Sequence, residues 1–189
     1  MIILFGAPGA GKTIQGQLLV KKYHWQWISS RSLMLSLRDK DISLALNYGM
    51  NIDDEKNIQL LSKNLKTIDF SSGKIAILDG FPNSVNQIYW LIENHFLPHI
   101  KGAIVLRVPR GELWKRLTSR GRADDTRVAI ERRQSLYDRA IHGMIHVLKA
   151  NNVRTAEVDG GNSPEDVLER IEELLGQWEI IPKKNYPKC

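Results

Sequence analysis

An α/β fold, with a five-stranded parallel sheet covered by helices on both faces, is predicted by three features of the 189-residue chain. Short strand-like runs alternate with helical patterns from end to end, as in strands joined by crossover helices. The runs are apolar on both faces, as strands in the middle layer of such a fold must be. The first run, residues 1–5, empties into Gly6-Ala-Pro-Gly-Ala-Gly-Lys12-Thr13, and a helical pattern follows over 14–22. Gly-x-x-x-x-Gly-Lys-Thr between a strand and a helix is a phosphate-binding loop. Gly6, Gly9 and Gly11 carry no side chain, so the backbone N–H groups can curl around an anion, and the helix opening at Lys12 adds its positive end. Lys12 then reaches the outer phosphates of a nucleotide and Thr13 ligates magnesium.

The remaining elements follow in order. Residues 25–28 (Trp-Gln-Trp-Ile) read as the second strand, and Ser29-Ser30 cap a helix expected from about Arg31 to Arg38. Two further helices are expected over 41–48 and 53–67, the second opened by Asp53-Asp54-Glu55. Residues 75–78 form a third strand that ends in Asp79-Gly-Phe-Pro82. Strands over 103–106 and 154–158 complete the sheet, with helices over 84–95, 111–119, about 125–148 and 165–177. Ligands of such sheets bind at the carboxyl ends of the strands. The two most polar exits are the Gly6 loop and Asp79-Gly80. The sequence reads as one domain over 1–179, and the tail 180–189, with two prolines and three lysines, as an extended end.

Composition narrows the function. Net charge is +6, and the arginines cluster between Arg107 and Arg139 rather than in a basic arm. That placement favours a phosphate-handling cleft over nucleic acid. The only cysteine is Cys189, which excludes an internal disulfide and a zinc site built on several cysteines. The N-terminal run is too short for a signal peptide, and no segment approaches membrane-spanning length. A cytoplasmic monomer is expected.

Two more constellations carry chemistry. Asp79 ends a buried-type strand beside the loop, where an acid holds magnesium directly or through water. The stretch from Arg116 through Arg120, Arg122, Asp124 and Asp125 to Arg133 gathers guanidinium groups, the usual clamp for charge that develops on phosphoryl oxygens. Arg116 and Arg120 share a helical face. Arg122 and Arg133 are spaced by about three helical turns, so both can project towards one site. Asp124 and Asp125 either orient the arginines or cap the next helix.

The loop Gly6–Lys12, then Asp79-Gly-Phe-Pro82 with Gln87, then Gly121-Arg-Ala-Asp-Asp125 with Arg133 and Tyr137 resemble, in content and order, the adenylate kinase family. The resemblance covers roughly residues 1–175. It implies a P-loop core, a monophosphate-binding segment near 29–68, a lid near 116–126, and transfer of the γ-phosphate of Mg-ATP to AMP. On the ATP side it implies Gly9, Ala10, Gly11, Lys12, Thr13 and Ile14 of the loop, Arg116 against the adenine, Arg120 on the phosphates, and Gly161 flanking the base. Lys12, Asp79, Arg122 and Arg133 would be catalytic, with Arg122 and Arg133 bridging both nucleotides. On the AMP side it implies Ser30, Ile52, Gly80, Phe81, Asn83 and Gln87. Thr13 and Asp79 would hold magnesium.

Three departures stand out. Thr13-Ile14 replaces the family's Gly-Thr, and the lid is shorter than the family's short form. Asn83 and Leu35 occupy the positions of two arginines that grip the AMP phosphate. Arg31 and Arg38, four before and three after Leu35, are the candidates to take over that contact. A kinase for another acceptor on the same core, and a nucleotide-binding protein with little turnover, are the competing functions.

Overall fold

The computed structural model describes residues 1–50 and 52–182. Five parallel strands form one sheet in the order β2-β3-β1-β4-β5. They are β1 (Ile2–Gly6), β2 (Gln26–Ser29), β3 (Ala76–Asp79), β4 (Gly102–Arg107) and β5 (Thr155–Asp159). β1 is central, with Leu4 level with Asp79 on one side and Gly6 level with Leu106 on the other. The carboxyl ends of β1 and β3 therefore open side by side.

The eight helices among the described residues are α1 (Lys12–Tyr23), α2 (Ser30–Ser36), α3 (Lys40–Asn47), α4 (Asp54–Leu65), α5 (Val85–Glu93), α6 (Arg110–Arg120), α7 (Arg127–Ala150) and α8 (Pro164–Gln177). The strands alternate their side chains between two apolar layers. Ile3, Phe5, Leu78 and Val105 pack with Leu61 and Leu65 of α4, Ile88 and Leu91 of α5, and Ile141 and Leu148 of α7. Ile2, Leu4, Ile77 and Ile104 face the other way, against Leu19 of α1, Leu113 of α6 and Val167, Ile171 and Leu175 of α8. A strand apolar at every position is the expected consequence of burial on both faces.

One expected helix is shorter, and the difference matters. Ser29 caps α2, its hydroxyl accepting from Ser32 N at 3.3 Å, and the helix ends at Ser36. Asp39 already caps α3 by accepting from Asp41 N and Ile42 N. The chain must turn between the two caps, and Arg38 does so with φ 52°, in the left-handed region. Arg38 therefore does not share a helical face with Leu35. The start of the tail is packed rather than loose, with Ile181 buried in the second apolar layer. The extended end expected beyond it lies, from 183 onward, outside the described residues.

Candidate active site

The loop after β1 is shaped to receive an anion. Gly9 has φ 86°, and a Cβ there would meet Leu117 Cγ at 2.9 Å, so both its conformation and its packing require glycine. Gly11 precedes α1 with φ 94° and no side chain caps the helix, which leaves its first N–H groups free for phosphate oxygens. Lys12 Nζ donates to the carbonyls of Gly6 at 2.6 Å and Ala7 at 3.2 Å. Burial lowers its pKa, Asp79 works in the opposite sense, and Arg120 adds to the lowering. Thr13 Oγ1 donates to Asp79 Oδ2 at 2.6 Å, with Asp79 only 6% exposed.

The arginines face this loop across a cleft of ≈ 1150 Å³ lined by the loop, by Arg116, Arg120, Arg122 and Arg133, and by Ser30 and Arg31 of α2. Arg116 donates to the carbonyls of Gly160 at 2.8 Å and Gly161 at 3.2 Å and pairs with Glu112. Of the 160–162 segment, Gly160 and Asn162 line the cleft and Gly161, the residue expected to flank the base, does not. Arg120 grips Asp125 with two bonds of 2.7 Å. Arg133 takes Asp124 Oδ2 at 3.0 Å and Asp125 Oδ1 at 2.6 Å. The two aspartates orient arginines and do not cap α7, whose cap is the hydroxyl of Thr126.

Arg122 is different. It lies in the six residues between α6 and α7, after Gly121 turns the chain with φ 66°. It therefore reaches the cleft from the turn and not, as the spacing suggested, from three turns of one helix shared with Arg133. Among the described residues it has no ion pair. Burial first, then Arg120 and Arg31, lower its pKa. A guanidinium crowded by like charges and left unpaired is one prepared for an anionic ligand.

Asp125 gives a test of this scaffold. Burial pushes its pKa up, but the hydrogen bonds from Arg120 and Arg133 outweigh that and hold it below its ordinary 3.8. A depressed carboxylate contributes stability that is complete above the unfolded value and is lost as pH falls through the folded one. In urea titrations the stability gap between the wild type and Asp125→Asn is expected to be constant down to about pH 5 and to shrink below the ordinary carboxylate value. A gap that widens on acidification would contradict the arrangement.

On the acceptor side the structure divides the expected residues. Ser30, Ile52, Gly80 and Asn83 line the cleft. Phe81 does not; it is 1% exposed and belongs to the apolar layer under α5, where it meets Trp90 edge to face. Gln87 is 0% exposed, and its amide is committed internally. Its Oε1 accepts from Asn83 N at 2.8 Å, and its Nε2 donates to Asp54 Oδ1 at 2.6 Å and Asn83 Oδ1 at 3.0 Å. Arg31 lines the cleft and pairs with Asp124 Oδ2 at 2.8 Å, whereas Arg38 does not reach it. Tyr48 and Gly49 close the segment against α7. Arg132 donates to Tyr48 O at 3.1 Å, and a Cβ on Gly49 would meet Ala129 O at 2.5 Å.

The comparisons agree with this geometry. A family model described as an AAA domain matches residues 5–131. An adenylate kinase of Prochlorococcus marinus is 31% identical over 184 residues, covering 93% of this chain and 98% of that protein. One from Mycobacteroides abscessus is 31% identical with 93% and 99% covered. The chain belongs to the adenylate kinase family. Adenylate kinase 1 of a Nostoc species, at 29% identity over 183 residues, spans the same region. The enzyme is thus a nucleoside-monophosphate kinase, and none of its described helices is long and apolar enough to cross a membrane.

Sequence reasoning missed two residues that shape the site. Asp54 fixes Gln87, and its partner lies 33 residues away, beyond the reach of any local pattern. Asn57 interrupts the buried stripe Asn57, Leu61, Leu65 of α4. A polar residue in an otherwise apolar i, i+4, i+8 row was the available signal.

Proposed function

We propose that the enzyme transfers the γ-phosphoryl group of Mg-ATP to AMP, reversibly, forming two ADP. The observation that carries this reading is a single cleft joining the phosphate loop to Arg31, Arg116, Arg120, Arg122 and Arg133. Such a concentration of cations suits two polyanions better than one. An oxygen of the acceptor phosphate attacks the γ-phosphorus, the bond to the β–γ bridging oxygen breaks, and the electron pair leaves with ADP. The protein needs to position the partners and neutralise charge, with no covalent intermediate.

The loop N–H groups and Lys12 hold the β- and γ-phosphates. Arg116 fixes the 160–162 segment beside the ATP base, and Arg120 reaches the phosphates. Arg122 and Arg133 contact the group in flight, and Arg31 holds the acceptor phosphate. Thr13 and Asp79 suit magnesium. A hydroxyl and a buried carboxylate meet at 2.6 Å beside the phosphate loop, with no cation paired to the acid among the described residues. No cluster of three His, Cys, Asp or Glu side chains is present among the described residues, and magnesium characteristically uses one or two protein oxygens completed by phosphates and water. When bound, the ion would neutralise charge on the nucleotide phosphates. The same reading has the enzyme act as a cytoplasmic monomer.

The test is product analysis by anion exchange after incubation with Mg-ATP and, separately, AMP, dAMP, CMP, UMP, GMP or no acceptor. Two ADP formed per ATP and AMP consumed is the expected result. ATP binding without turnover on any monophosphate would overturn the assignment.

A further inference from the structure

We propose that Asn57 reads the base of the acceptor monophosphate, an inference that rests on the kinase reading above. Asn57 is 1% exposed, on the inward face of α4. Its Oδ1 accepts from Ser30 Oγ at 3.0 Å, while its Nδ2 has no partner among the described residues. Buried amide donors are nearly always satisfied, because leaving one unpaired carries the full desolvation penalty. A donor left open in the resting enzyme is explained when a ligand supplies the acceptor.

The surroundings fit a heterocyclic base. Asn57 lines a chamber of ≈ 200 Å³ with Met34 and Leu37 near α2, Ile42 of α3, and Ile52 and Leu60. Asp39, Lys56, Gln59 and Lys63 line it too but are exposed, so Asn57 is its buried polar residue. Met34 and Ile52 also line the main cleft, as does Ser30, which holds the other end of the Asn57 amide. Apolar side chains around a buried polar group fixed in orientation form a common composition of a selective ligand site. Gln87 cannot do this work. Both hydrogens of its Nε2 are used by Asp54 and Asn83, and its Oε1 by the Asn83 N–H. Asn57 is left as the buried amide with an open donor on this side of the cleft, Asn83 being exposed. In-plane lone pairs sit at different places on the four bases, so a fixed donor ranks them.

The experiment measures kcat/KM for AMP, GMP, CMP and UMP with saturating Mg-ATP. Asn57→Leu keeps the branching of the side chain and continues the Leu61–Leu65 row, so it is expected to fold. It should compress the ratio between the best and second-best acceptors by about tenfold, through the acceptor KM, with the KM for ATP unchanged. Asn57→Thr, which retains a donor, should preserve part of the ranking, and thermal unfolding of both variants checks folding. Unchanged ratios, or a uniform loss on all four acceptors, would overturn the proposal while leaving the kinase reading intact. A wild-type enzyme that turns over no monophosphate would overturn both.

Discussion

Replacing Arg122 with alanine is expected to lower kcat by about 10³-fold, the lower end of what an arginine on a transferring phosphoryl group supplies. In free energy that is about 4 kcal/mol of barrier. The KM for ATP should change only a few-fold, because Lys12 and the loop N–H groups remain to bind the ground state. The prediction is clean because of how Arg122 is held. It has no ion pair among the described residues, so alanine strands no carboxylate, and stability should stay within about 0.5 kcal/mol of the wild type. Arg133 offers no such separation. Its removal would uncouple Asp124 and Asp125, both buried, and mix a folding defect with the catalytic one. Single-turnover rates with both nucleotides saturating measure the step directly. A kcat within tenfold of the wild type would show that Arg122 does not touch the reacting group.

What was legible in the sequence was what is encoded over a short span. The loop from Gly6 to Thr13 is contiguous, and its glycines serve local backbone needs, so motif and geometry coincide. The inner strands β1, β3 and β4 were legible because burial on both faces leaves a nearly unbroken apolar run, whereas the edge strands β2 and β5 carry polar residues. The acceptor side failed for the opposite reason. The ending of α2 is decided by two competing caps, Ser29 and Asp39, and a shift of two residues turned Arg38 away while Arg31 stayed. The fate of Gln87 depends on Asp54, and that of Phe81 on Trp90 and the layer beneath α5. Such long-range pairings leave no periodicity to read. The resemblance assigns these residues to the acceptor side, but which of them reaches the cleft is a property of packing.

Arg31→Ala is expected to raise the KM for the monophosphate about 10- to 100-fold with little change in kcat, as loss of one charge-assisted contact to phosphate would. The two positions from which the family draws its phosphate-gripping arginines hold Leu35 and Asn83, both on the cleft wall, and neither carries charge. Asn83 has its side-chain oxygen tied to Gln87, which leaves only a neutral donor for the acceptor. Arg31 is the cation of α2 that lines the cleft, and its side chain is 31% exposed, so it can exchange partners. In the structure it leans on Asp124, which also pairs with Arg133. An arriving phosphate would draw Arg31 away while Arg133 keeps Asp124 satisfied. For that reason the alanine variant should lose little stability, since a partly exposed pair of this kind contributes about 1 kcal/mol or less. Arg31→Lys should recover part of the affinity through charge alone but not the bidentate grip. Arg38→Ala, at the left-handed turn, should leave the KM unchanged. If Arg38→Ala raises the KM and Arg31→Ala does not, the acceptor phosphate lies on the far side of α2 from the Asp124 pair, and the geometry of transfer proposed for Arg122 and Arg133 falls with it.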